Sequence, residues 1–186
     1  GFSILKIKVG KDPALDVERI AAIRKAVGPA VKLRVDANQG WTAAESVSII
    51  KAMEDKGLNI ELVEQPVAAR DFEGLKAVTA QVDTPILADE AVFSPADALH
   101  IIETHAADYL NIKLMKTGGI HNALKICEAA EKNGAKCPLG CMLQSQIAVA
   151  AAAPAAIGAV SEDPRAFGKA LIFVALGEGV ALSGLL

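Results

Sequence analysis

Short, almost wholly apolar runs alternate along the chain with longer stretches in which apolar residues return every three or four positions. Residues 4–9, 31–36, 60–64, 86–88 and 109–112 are of the first kind. Their length and their Ile, Val and Leu content predict strands buried on both faces. The stretches between them predict helices. Ile20, Ile23 and Val27 mark one face of a helix over 16–27, which Gly28-Pro29 stops. Thr42 is placed to N-cap the next helix, with Glu45 three residues on completing a capping box and Gly57 ending it. Residues 72–82 predict a third helix. Ser94-Pro95 opens a fourth as N-cap and first helical residue, running to about Thr104. Gly118-Gly119 reads as a loop before a helix over 120–133. A strand over 136–139, a helix over 144–153 and a last strand or short helix over 170–176 complete the expectation, with 154–164 unassigned.

Strand–helix alternation implies right-handed βαβ crossovers and a parallel sheet, hence the α/β class. An eight-fold barrel needs about 200 residues or more. Six clear units and a doubtful seventh in 186 residues therefore predict a partial TIM (β/α)8-type barrel, one domain over 1–186 with no internal linker. The opening Gly1-Phe2-Ser3, without an initiator Met, gives the expectation of a segment of something longer.

Composition narrows the function classes. Hydrophobic residues make up 52% and aromatics only 4%, so the interior has to be built from Ala, Val, Ile and Leu. The net charge is −3 with Lys and Arg scattered, which favours neither nucleic acid nor an anionic membrane. Residues 137–160 carry no charge, but they include Pro138, Pro154, Gln144 and Gln146; a buried strand followed by an Ala-rich helix is expected rather than a membrane span. An odd count of three cysteines fits a reduced, cytoplasmic setting.

Candidate chemistry sits at the ends of the strands. Asp36, Glu64 and Asp89 each close an apolar run, and Lys113 follows the next; the steps are 28, 25 and 24 residues, about one strand–helix unit each. The C-terminal ends of successive parallel strands converge on one mouth. Each acid alone could be a turn or cap residue, Asp36 in Asp36-Ala37-Asn38 especially. Three carboxylates on one rim would repel one another unless a cation lay between them, and Mg²⁺ suits such oxygen ligands. Lys6 and Lys8, two apart on one strand, should point to the same side and depress one another's pKa, making a general base. Taken alone they could equally be the lysines of a solvated edge strand. Lys113 stands across the mouth from Lys8, and Lys116 reads as a surface loop lysine. A base on each side of a metal-held substrate would allow proton removal from one face and return to the other.

Leu5-Lys6-Ile7-Lys8-Val9-Gly10, Asp36-Ala37-Asn38, Glu64-Gln65-Pro66, Ala88-Asp89-Glu90 and 111–120 (NIKLMKTGGI) together resemble the barrel domain of the enolase superfamily, in its muconate lactonizing subgroup. Within it the motifs are most similar to those of dipeptide epimerases, over about residues 2–153. The resemblance implies that Lys8 and Lys113 are acid/base lysines, with Lys6 assisting at the substrate carboxylate. It implies that Asp36, Glu64 and Asp89 hold Mg²⁺, with Asn38 and Glu90 supporting them. It further implies a small carboxylate substrate of dipeptide or N-acyl amino acid type and association into homo-oligomers. The family's N-terminal capping domain and first barrel strand have no counterpart in these residues. The acidic pair expected on the last strand is not found near 167–173, so 154–186 reads as a divergent tail. Cycloisomerisation or dehydration at the same site, and a catalytically silent barrel that oligomerises through open sheet edges, are the alternative expectations.

Other features carry less. Cys137 and Cys141 lack the second Cys or His pair a zinc site needs. His100, His105 and His121 read as surface residues on helices. Gly118-Gly119 could seat a phosphate at a helix start. Trp41 could wall the mouth or pack in the core.

Overall fold

A computed structural model describes residues 2–140. The helix, strand and tail expected from 144 onward lie outside the described residues. Five parallel strands, β1 (Ile4–Lys8), β2 (Lys32–Asp36), β3 (Ile60–Glu64), β4 (Ile86–Ala88) and β5 (Tyr109–Leu110), pair in chain order. Their register sets Lys8 beside Asp36 and Asp36 beside Glu64, so the polar strand ends lie side by side. Residues 136–139, expected as a strand, meet β5 and its extension only through bridges at Tyr109–Lys136 and Ile112–Leu139.

Helices α1 (Pro13–Val27), α2 (Ala43–Asp55), α3 (Phe72–Thr79) and α4 (Pro95–Thr104) fill the crossovers, and the short α5 (Leu114–Thr117) precedes α6 (Ile120–Lys132). The start of α1 falls three residues before the expected one, because Pro13 occupies the first turn, where its missing N–H costs nothing. The Thr42 capping box and the Ser94 cap form as expected. Gly118 (φ 76°) and Gly119 (φ 109°) make the tight turn between α5 and α6.

Ile20, Leu33, Val35, Ile50, Val63, Leu75, Ile86, Ala88, Ile101, Leu110 and Ile126 are almost wholly buried in one core between strands and helices. Trp41 joins that core at 3% exposure. The three histidines are exposed, and Cys137 is half-buried. None of the described helices is long and apolar enough to cross a membrane.

The turn after β1 and the turn after β2 touch backbone to backbone. A Cβ on Gly40 would lie 2.6 Å from the Cα of Gly10, and Gly10 itself has φ 91°. Gly40→Ala should therefore destabilise the protein by about 1–3 kcal/mol, as overpacking does. Urea denaturation checks this; an unchanged midpoint would show that the two turns are free to part.

Candidate metal and acid–base site

The C-terminal end of the sheet collects the charged residues. Lys6 and Lys8 share a face of β1, and both reach Asp36: Lys6 Nζ lies 2.9 Å and Lys8 Nζ 2.6 Å from its Oδ2. Lys6 also lies 2.7 Å from Glu64 Oε2 and so bridges two acids. Lys8 Nζ donates to Asn38 Oδ1 at 2.7 Å, Asn38 N donates to Asp36 Oδ1 at 3.0 Å, and Asn38 Nδ2 donates to Glu90 Oε1 at 3.1 Å. Farther along the rim, Asp89 accepts from both Lys113 and Lys116. Asn111 Nδ2 donates to Glu64 Oε1 at 3.2 Å. Asp36, Glu64 and Asp89 are 0%, 2% and 0% exposed.

All eight residues singled out from the sequence, Lys6, Lys8, Asp36, Asn38, Glu64, Asp89, Glu90 and Lys113, thus belong to one hydrogen-bonded and charge-coupled belt. Two readings need correction. Lys6 is not depressed by Lys8: burial pulls its pKa down, but the facing Glu64 and Asp36 carboxylates more than reverse this, and the ammonium is raised. Lys116 is not a surface lysine. Its side chain is 6% exposed and its Nζ also donates to the Asp89 carbonyl.

Lys116 and Asn111 could have been found by periodicity. Lys116 is three residues from Lys113, and the short α5 returns it to the same side. Asn111 is two residues before Lys113 and shares its face of the extended chain. Gln65 carries no such signal in the sequence. It sits at φ 37°, fully buried, and its Oε1 accepts from the Asp89 and Ala91 N–H groups at 2.8 and 3.0 Å. The end of β3 thereby fixes the turn that presents Asp89.

The electrostatics separate the three acids. Burial would raise Asp36, but Lys6 and Lys8 hold it below its ordinary value. Asp89 is likewise held down, against burial, by Lys116 and Lys113. Glu64 has only half of one lysine. Burial, with the Asp36 and Asp89 charges adding to it against the pull of Lys6, pushes its pKa up to about 7.

A stability profile follows for the metal-free protein. A carboxyl held higher in the folded state binds its proton more tightly there, so its contribution is complete below about pH 4.5 and lost as pH rises through about 7. The loss amounts to about 3 kcal/mol at most. Asp36 and Asp89 run the other way: their contribution is present above about pH 4 and lost below it. Thermal melts in EDTA should show greatest stability near pH 5 and a decline toward pH 8. A flat profile over that range would contradict the burial of Glu64 between two other acids with one shared lysine.

The donor set suits a hard divalent cation. The three carboxylates are close enough for Asp36 and Asp89 to disfavour the charge on Glu64, and a cation among them, or a proton on Glu64, relieves that repulsion. As the side chains lie, lysine ammonium groups supply the positive charge. No three His, Cys, Asp or Glu side chains among the described residues stand in an arrangement that would hold an ion.

The family model described as Enolase C-terminal domain-like matches residues 1–167. The chain belongs to that family. This enolase C-terminal domain-like chain is 58% identical over 152 residues to an L-Ala-D/L-Glu epimerase of Clostridium acetobutylicum, covering 82% of this chain and 42% of that protein. Its fold matches the structure of a substrate-liganded L-Ala-D/L-Glu epimerase from Bacillus subtilis with a TM-score of 0.82 and 56% identity, over 84% of this chain and 44% of that one. It also matches a dipeptide epimerase from Enterococcus faecalis V583 complexed with Mg and the dipeptide L-Leu-L-Tyr, at TM-score 0.80 and 52% identity, over 84% and 44% of the two chains. The partial parallel barrel expected from the sequence is thus the family's fold. The chain spans less than half the length of these relatives.

Proposed function

We propose that this chain carries the catalytic centre of a Mg²⁺-dependent epimerase that moves a proton at a carbon α to a carboxylate, with a dipeptide as substrate. The observation that carries the reading is the placement of two lysines at opposite ends of one acidic row. Lys8 rests on Asp36 at the β1–β2 end, and Lys113 on Asp89 beyond β4, with Glu64 between. The relatives named as dipeptide epimerases, one of them complexed with Mg and a dipeptide, support the substrate and the ion.

Asp36, Glu64 and Asp89 would hold Mg²⁺. Bound there, the ion supplies the positive charge that offsets the build-up of negative charge on the substrate carboxylate during deprotonation. The lysines do the rest. One amine takes the α-proton from one face, and the ammonium opposite delivers a proton to the other face, which inverts the centre. Because either lysine can start, the two epimers interconvert. Lys6, shared between Asp36 and Glu64, adds a fixed charge for the substrate carboxylate. Asn38 holds Lys8 in line and Glu90 holds Asn38.

Incubating the full-length protein with L-Ala-L-Glu and Mg²⁺ in D₂O tests the proposal. Deuterium should enter the α-position of the Glu residue as the D-epimer appears. Neither exchange nor inversion would overturn it.

A further inference from the structure

Asp16 lies on the first turn of α1, 0% exposed, and no step of the proposed reaction uses it. Its Oδ2 accepts two hydrogen bonds, one from Gly10 N at 2.9 Å and one from Trp41 Nε1 at 3.0 Å; Oδ1 accepts from Arg19 Nη1 at 2.8 Å. Gly10 is two residues beyond Lys8, and Trp41 is three residues beyond Asn38. One buried oxygen therefore ties the turn that carries one acid/base lysine to the turn that carries its partners. We propose that Asp16 is a positioning residue for Lys8, acting through these two turns and not through contact with the substrate. The inference rests on the two-lysine reading above and assigns a determinant of it.

The β2–α2 turn needs such a hold. Asn38 and Gln39 adopt φ of 43° and 67°, a left-handed conformation that non-glycine residues keep only when their surroundings enforce it. Three backbone hydrogen bonds help: Gln39 N to Gln65 O at 2.8 Å, Gly40 N to Ala37 O at 2.9 Å and Trp41 N to Pro66 O at 3.1 Å. These tie the turn to its own residues and to β3, away from β1. The links toward β1 are Val9 N to Asp36 O at 2.9 Å, the Gly10–Gly40 contact, the Lys6 and Lys8 ammonium contacts with Asp36 and Asn38, and the Asp16 strap. Of these, the strap is the one made by a side chain that takes no part in the proposed chemistry. Without it the turn is held toward β1 only through the two backbone contacts and the lysines' own pairings, so Asn38 Oδ1 can shift away from the exposed Lys8 ammonium. Lys113 is held from β5 and Asp89, on elements the strap does not touch, so the damage falls on one side of the substrate.

That asymmetry is the test. In the full-length protein with Mg²⁺, solvent deuterium exchange is followed separately from L-Ala-L-Glu and L-Ala-D-Glu. Asp16→Ala should slow exchange of the epimer that depends on Lys8 by about ten- to a hundredfold in kcat, with little change in KM, as misplacement of a reacting group does. Exchange of the other epimer should persist. Asp16→Asn keeps an oxygen for both N–H donors and should restore the rate. Trp41 is the only tryptophan, so its emission should shift in Asp16→Ala and return in Asp16→Asn. Equal slowing of both epimers by Asp16→Ala, or an Asp16→Asn protein as slow as Asp16→Ala, would overturn the inference. Should Asp16→Ala fail to fold, Trp41→Phe carries the same expectation of a one-sided loss, and an even loss overturns it. A wild-type protein that exchanges neither epimer overturns the epimerase reading and this inference together. Even losses against an active wild type overturn the inference alone.

Discussion

Replacing Lys8 by alanine should lower epimerisation by about 10²–10⁴-fold, the usual weight of a positioned acid or base, and yet leave one half of the chemistry running. With Lys8 gone, Lys113 can still remove the α-proton from the face it addresses. Its ammonium hydrogens exchange with solvent and a deuteron returns to the same face, so deuterium enters without inversion. Lys113→Ala should show the mirror image, with exchange confined to the other epimer. The geometry behind this is the separation of the two lysines onto different acids, Lys8 on Asp36 and Lys113 on Asp89. Following exchange and inversion by NMR in D₂O checks it. If both variants lose exchange from both epimers while staying folded, neither lysine works one face on its own and the two-lysine arrangement is wrong.

The second large effect concerns the ion. Glu64→Gln should weaken Mg²⁺ binding by about a hundredfold or more, because it removes an anionic ligand and also frees Lys6 to neutralise Asp36 alone. Without metal the same variant should be as stable as the wild type or more so at pH 8, since the buried acid that costs stability there is gone. Asp89→Asn should behave differently. It strands two ammonium groups whose side chains are 14% and 6% exposed, and unpaired buried charge costs about 3–5 kcal/mol. Calorimetric Mg²⁺ titration beside urea denaturation separates the cases. Equal stability losses in both variants would mean that the acids are structural ion-pair partners and hold no cation.

How far the sequence could be read depended on which physical signal each residue carried. Strands β3 and β4 and the capped starts of α2 and α4 were legible, because an apolar run or a cap is a local property. The start of α1 was missed because Pro13 was not credited with a first-turn place. The acids were legible through their spacing, which the parallel topology converts into proximity. Lys116 was misplaced for the opposite reason. Its three-residue step from Lys113 is a helical signal, but the step fits a loop as well until the four-residue α5 turns the ammonium back onto Asp89. Gln65 and Asp16 were invisible as contributors. Their importance lies in backbone N–H groups of other turns, and only the folded chain shows which donors those are.

Strands that pair in the order of synthesis have a consequence for how this centre is put together. As the chain leaves the ribosome, Lys8 can close on Asp36 once the second strand is available, and Lys6 can take up Glu64 with the third, long before Lys113 has been made. Asp36 and Glu64 thus meet their counter-ions as they emerge, whereas Asp89 gains its own only when the residues after the fifth strand have been made.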